Sequence, residues 1–144
     1  MSVLFFWRGD NYSADIAAGK AYHLNQNNEL MLNLTRGEHV WAFTRRKDKT
    51  YVLAADLVVV RTKVNRAGDP GYEYGKYHVD GDKMRTRYFD IDKNPDVETV
   101  IRSLSFSPSA AILGHSFQGR NGVRLLTSAD EHKLASFSVG FHTI

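Results

Sequence analysis

At 144 residues, with 42% hydrophobic and 24% charged side chains, the chain has the size and composition of one soluble domain, residues 1–144, with a buried core. It has no cysteine, which excludes disulfides and thiolate chemistry and fits an intracellular, cytoplasmic protein. The net charge is only +3, but the cations gather at 45–49, 61–66, 83–87 and 120–124, a distribution that suits a polyanionic partner or a solvated surface stripe.

Val3, Leu4, Phe5, Phe6 and Trp7 predict a buried first strand, too short for a signal core or a membrane span, so no membrane partner is expected. A polar turn at Arg8–Gly9–Asp10–Asn11 follows. Residues 12–18 predict a short helix that Asn11 or Ser13 can cap and Gly19 can close. Residues 20–29 are polar and irregular, and 30–34 read as a short strand or a helical turn. The clearest element is a β-hairpin, 37–60, in which apolar runs at 39–44 and 51–60 flank a basic loop. Its second strand can run on to Val64. Trp41 and Phe43 lie two apart and share one strand face, which fits either a core or a pocket wall. Gly68–Asp69–Pro70–Gly71 is a turn, 72–79 is tyrosine-rich and extended, and 85–89 is a further strand. Asn94 and Pro95 start a helix whose Val97, Val100, Ile101 and Leu104 form an apolar face. Thr127 or Ser128 caps a last helix, with Asp130 and Glu131 in its first turn. The sum is an α+β domain: a small mixed β-barrel decorated by about three short helices.

Catalytic chemistry has no motif to stand on. The histidines at 23, 39, 78, 115, 132 and 142 have no partner at metal-ligand spacing, and no nucleophile elbow or phosphate-binding Gly-rich loop is present. Asp90 and Asp92 share a strand face and can hold a divalent ion, but they fit a polar turn better. Glu73 and Lys76 have the wrong spacing to be neighbours on one strand face. No catalytic residue, metal or cofactor is therefore expected. The loop 114–124 is more informative. Gly114, Gly119 and Gly122 let backbone approach a ligand. Arg120 and Arg124 can meet phosphates, Gln118 or Asn121 can read a base edge, and Phe117 can stack.

Several segments together resemble the EVE domain, a PUA-like family related to YTH domains. Phe5–Phe6–Trp7–Arg8 is similar to that family's opening aromatic strand. The run from Leu34 through Gly37, Glu38 and Trp41 to Phe43 resembles its entry into a central strand, and Val52 to Val59 the returning strand. The Leu104–Ser105–Phe106–Ser107–Pro108 stretch resembles its late Leu-Ser-x-x-Pro element, and 127–137 lies where its closing helix belongs. The family's Asn-Tyr-x-Ala-Arg-Asn element has no counterpart in 20–33; the nearest match is Asn11–Tyr12–Ser13–Ala14–Asp15. The chain looks closer to the divergent EVE-like domains attached to modification-dependent restriction endonucleases, which read modified bases in DNA, than to those that carry this element.

The resemblance implies a PUA-like barrel and a non-catalytic module that reads a methylated base in DNA. The base is flipped into an aromatic pocket, and a nuclease domain or subunit acts as partner. The residues it suggests for the base are Trp7, Tyr12, Trp41, Phe43, Thr44, Ser105, Phe117 and Asn121. Arg8, Arg45, Arg46, Lys49 and Arg120 are those for phosphates. Competing expectations are an RNA-modification reader of the same fold, a small metal-dependent nuclease using Asp90, Asp92 or Glu73, and a protein-interaction domain.

Overall fold

The computed structural model describes residues 1–144. The apolar run at the start forms β1 (Val3–Phe6), and the hairpin forms β3 (His39–Arg45) and β4 (Tyr51–Val64). These strands build the centre of one mixed sheet. β1 pairs with β3 in parallel, and β3 pairs with β4 antiparallel. Beyond β1 lies β7 (Val123–Leu125), antiparallel to it. The far edge of β4 carries two short partners in succession, β6 (Arg87–Tyr88) at Ala55–Asp56 and β5 (Tyr77–Gly81) beyond Val59. A further strand, β2 (His23–Gln26), sits outside β5, which gives the order β2-β5-β4-β3-β1-β7 with β6 beside β4.

Side-chain alternation divides this sheet into two faces. One cross-strand row reads Val123, Phe5, Ala42, Ala55 and Tyr88, all in one hydrophobic cluster. The adjacent row reads Arg124, Leu4, Trp41, Asp56 and Arg87, and Leu4 and Trp41 belong to the second cluster. That second face is roofed by α2 (Glu98–Arg102), α3 (Ser128–Phe137) and the loops around them, through Ile101, Leu104, Leu113, Phe117 and Leu134. The first face is concave. It is flanked by α1 (Gly9–Ala17) and by a 3-10 helix at Glu29–Asn33 that plugs Met31 into the core.

The expectation of a small barrel requires correction: the seven-stranded sheet does not close. The edge strands β2 and β7 have four and three residues, and no ladder joins them. The gap is bridged at one point by a side chain, with Asn28 Nδ2 donating to the Arg120 carbonyl at 3.3 Å.

Several local readings also shift. β2 falls in a stretch that reads as irregular, because its pairing with β5 is non-local. Helix α1 starts at Gly9, earlier than expected, and no side chain caps it. The segment 72–79 begins as a 3-10 helix, Tyr72–Tyr74, before β5, and Arg87–Tyr88 is all that forms of the strand read at 85–89. Asn94 does not start a helix. Its amide donates to the carbonyls of Asp90 and His142 and accepts from the His142 N–H, tying the turn to the C-terminal segment. Helix α2 starts later, where Asp96 accepts from the Glu98 N–H. Thr127 does cap α3, in a reciprocal capping box with Asp130.

The helix-covered face of the sheet carries a buried charge on β4. Asp56, 3% exposed, accepts from His39 Nδ1 at 2.5 Å and pairs with Arg87 at 3.0 Å. The His39 ring stacks on Trp41, centroids 6.0 Å apart, and the Arg87 guanidinium lies 5.9 Å from the same indole. A buried carboxylate needs such partners, since an unpaired one is strongly destabilising.

Two outcomes follow. Trp41→Ala, which empties a fully enclosed site, is expected to cost about 3–5 kcal/mol in chemical denaturation. The second concerns pH. The hydrogen bond to Asp56 raises the His39 pKa above its ordinary value, against the opposing effect of burial. Glu131 adds to the rise and Arg85 reduces it. The folded pKa is therefore above the unfolded one, so this stabilisation is complete below the unfolded value of about 6.5 and is lost as pH rises through the folded pKa. The urea midpoint should fall as pH rises from about 6.5 through the raised folded pKa, and His39→Gln should flatten that slope. An unchanged slope in the variant would rule out His39 as its source.

Candidate functional site

The concave face is only partly filled. Ala42 and Ala55 stand opposite one another in the middle of the sheet, and a pair of methyl groups leaves a hollow that larger side chains would occupy. The result is a cleft of about 1310 Å³. Its floor is Phe5, Val40, Ala42, Ala55, Leu57 and Val123, with Tyr88 at one side. One wall comes from the exit of β1 and from α1, with Trp7, Arg8, Asn11 and Asp15. The other comes from β2 and the segment after it, with Asn25 and Asn28, and from Tyr74. The loop before β7 adds Gly119, Arg120 and Gly122.

Trp7 is the half-buried indole of this cleft, and it is fixed on three sides. Its backbone N–H donates to the Phe43 carbonyl at 2.7 Å. Its indole Nε1 donates to Asp15 Oδ2 at 3.1 Å, which links the β1 exit to the second turn of α1. Its ring meets Tyr12 edge-on, centroids 5.1 Å apart. Tyr12 itself is buried behind Trp7, and burial, reinforced by Asp92 and Asp90, raises its pKa. Tyr12 thus supports Trp7 and does not line the cleft.

The other residues expected to hold a base lie elsewhere. Trp41, Phe43 and Phe117 are in the cluster under the helices, with Phe43 and Phe117 rings 4.9 Å apart. Trp41 and Phe43 do share a face, but it is the roofed one. Thr44 is fully buried and its hydroxyl has no partner. Ser105 donates its hydroxyl to Asp130 at 2.5 Å, fastening the end of α2 to the start of α3. Asn121 is exposed beside Arg120 but outside the cleft lining.

Of the cations, Arg8 and Arg120 reach the cleft. Arg8 pairs with Asp10 in an exposed contact that solvent largely screens. The Arg120 guanidinium makes no hydrogen bond or ion pair within the chain. The hairpin tip adjoins the Arg8 turn, because a Cβ on Gly9 would come 3.0 Å from the Arg45 carbonyl. Arg45 nonetheless lies over the Tyr51 ring, and Arg46 is held by Asp48 and by the Ile91 carbonyl. Lys49 is exposed at the tip, with φ 71°. Asp90 and Asp92 form a turn in which Asp90 accepts the Asp92 N–H, while Glu73 lines a separate depression of about 460 Å³ with Lys76. No three His, Asp or Glu side chains converge as a metal site would require.

The cleft residues least visible in sequence are the ones that β2 and the 66–76 loop provide. Asn25 Oδ1 is fixed by Asn65 Nδ2 at 2.8 Å and by His78 Nδ1 at 2.9 Å, so the wall beside β2 is a hydrogen-bonded assembly. Gly75 is its tightest point, where a Cβ would lie 2.5 Å from the Gln26 backbone nitrogen. The asparagine cluster at 25, 27 and 28 was the available signal, but alone it reads as a turn.

No family model matches the sequence, and no curated protein matches it.

Gly75→Ala forces the 66–76 loop away from β2. It is expected to destabilise the protein by about 1–3 kcal/mol and to speed proteolysis within that loop. Unchanged melting and cleavage would show that the loop is not seated on β2.

Proposed function

We propose that the chain is a non-catalytic nucleic-acid-binding module of EVE type, with a PUA-like fold, that reads a modified base, methylated adenine or cytosine in DNA. The single observation that carries this reading is the cleft. It has an apolar floor, one anchored and half-buried indole at its mouth, amide and carboxylate groups on its walls, and the cations Arg8 and Arg120 at its rim. The mixed sheet, with one side-chain hydrogen bond between the segments flanking its two edge strands, supports the fold assignment.

Each part has a physical role in reading a base. A base cannot be inspected on all sides within a stack, so it is taken out of it, at a cost of a few kcal/mol. Stacking on Trp7 returns about 1–3 kcal/mol. Asp15 can accept from an exocyclic amino group, and Asn11 and Asn25 offer both donor and acceptor. Phosphate contacts by Arg8 and Arg120 supply affinity without sequence preference and make it depend on salt. An added methyl group gains apolar contact with the floor, at about 0.8 kcal/mol per buried carbon. On this reading cleavage belongs to a separate nuclease domain or subunit, as in a cytoplasmic restriction system.

A binding panel tests this. Oligonucleotides carrying N6-methyladenine, 5-methylcytosine, 5-hydroxymethylcytosine or no modification, as DNA and as RNA, are compared at two salt concentrations. The expected result is modification-dependent affinity that falls with salt. Trp7→Ala should remove the discrimination, whereas Arg120→Ala should weaken all sequences alike and lower the salt slope by about one. A flat response across the panel contradicts the reading; preference for the RNA arm reassigns the polymer.

A further inference from the structure

The cleft is larger than one flipped base requires. Its volume is about 1310 Å³, whereas pockets of about 300–1,000 Å³ enclose a drug-sized ligand, and a single nucleotide is of that size. Two aromatic side chains from distant parts of the sheet line the cleft. Trp7 follows β1, and Tyr74 stands beside β2. Those strands are separated by four spacings along the sheet, about 19 Å if it were flat. Curvature brings both rings onto one cleft.

Tyr74 is an unusual wall residue. It is 73% exposed, and its hydroxyl makes no hydrogen bond within the chain. Its position is nevertheless fixed. Lys76 N–H donates to Asn27 Oδ1 at 3.0 Å, the Tyr74 N–H to the Gly71 carbonyl at 2.9 Å, and Gly75 lies against Gln26. An exposed ring on a turn whose backbone is anchored can serve as a stacking platform without the cost of ordering the turn. Arg120, with its guanidinium unpaired, lines the same cleft. Its carbonyl is held by Asn28, on the side of the cleft that β2 forms.

We propose that the cleft binds a short single-stranded segment of nucleic acid, with the recognised base on Trp7, a neighbouring base on Tyr74 and Arg120 at a phosphate of that segment. The proposal rests on the nucleic-acid reading above and goes beyond it in strand form and site length. A base flipped out of a duplex leaves its neighbours stacked in the helix and gives Tyr74 nothing to hold. A single strand offers an unstacked neighbour at no pairing cost.

The test measures dissociation constants by calorimetry for 5-methyldeoxycytidine and N6-methyldeoxyadenosine monophosphates, for single-stranded trimers and hexamers with the same base at the centre, as DNA and RNA, and for the matching duplex hexamers. The trimer should bind at least about tenfold tighter than the monophosphate, the gain of one base–aromatic stack. Tyr74→Ala should remove that gain, so that trimer and monophosphate bind about equally, while Tyr74→Phe should keep it. Circular dichroism of both variants should match the parent. Equal affinity for monophosphate and trimer, tighter binding of the duplex, or an unaltered trimer affinity in Tyr74→Ala overturns the proposal while leaving base reading intact. Binding of none of these probes overturns both.

Discussion

The parallel pairing of β1 with β3 is the constraint on which the rest depends. It sets Phe5 beside Ala42 and Leu4 beside Trp41, and so decides which side chains face the cleft and which face the helices. A shift of β1 by one residue would turn its own side chains over, putting Phe5 under the helices and Leu4 in the hollow. The register is held by burial on both sides: Val3 and Leu4 are fully enclosed, one in each cluster. The same pairing brings the β1 exit level with the end of β3. This is why the Trp7 N–H can use the Phe43 carbonyl and why the Arg8 turn touches the hairpin tip.

The two faces use polar groups differently. On the roofed face, Asp56 is enclosed by His39, Arg87 and the indole of Trp41, a closed arrangement that joins β3, β4 and β6. Its charged groups are partnered with one another, and the carboxylate at its centre is buried. On the concave face, Asp15, Asn11 and Arg120 are exposed, and Trp7 has one side packed and one side open. Aromatic content alone does not separate these cases. Trp41 and Trp7 are both strand-associated indoles near cations, but only Trp7 has space in front of it.

Much of the fold is legible in the sequence where the signal is local. The hairpin, the extension of β4 to Val64 and the Thr127 cap of α3 each depend on neighbours in the chain. What escapes is non-local. β2 looks like a polar turn because its partner, β5, lies some fifty residues on, as in the pairing of Asn25 with His78. Asn94 looks like a helix start, but its three hydrogen bonds reach Asp90 and His142. The candidate site follows the same rule. Period-two alternation identifies Trp41 and Phe43 as sharing a face, but which face the helices cover is settled only by the packing of α2 and α3. Arg8 and Arg120 are readable as polar residues of glycine-containing turns, whereas Trp7 reads as the end of a buried strand and its open side emerges only from the fold. Tyr74 is not, because its role depends on Gly75 lying against β2.

The central claim is that ligand engages the concave cleft at Trp7. The chain has two tryptophans, Trp7 and Trp41, so a proton–nitrogen NMR spectrum contains two indole resonances. Assigned by single substitution and followed during titration with a single-stranded oligonucleotide carrying N6-methyladenine or 5-methylcytosine, they report on the two faces separately. The account predicts that the Trp7 indole shifts or broadens along with amides of α1 and β2, while the Trp41 indole stays in place. Movement confined to the Trp41 indole or to the hairpin-tip amides 45–49, with Trp7 unchanged, would contradict it.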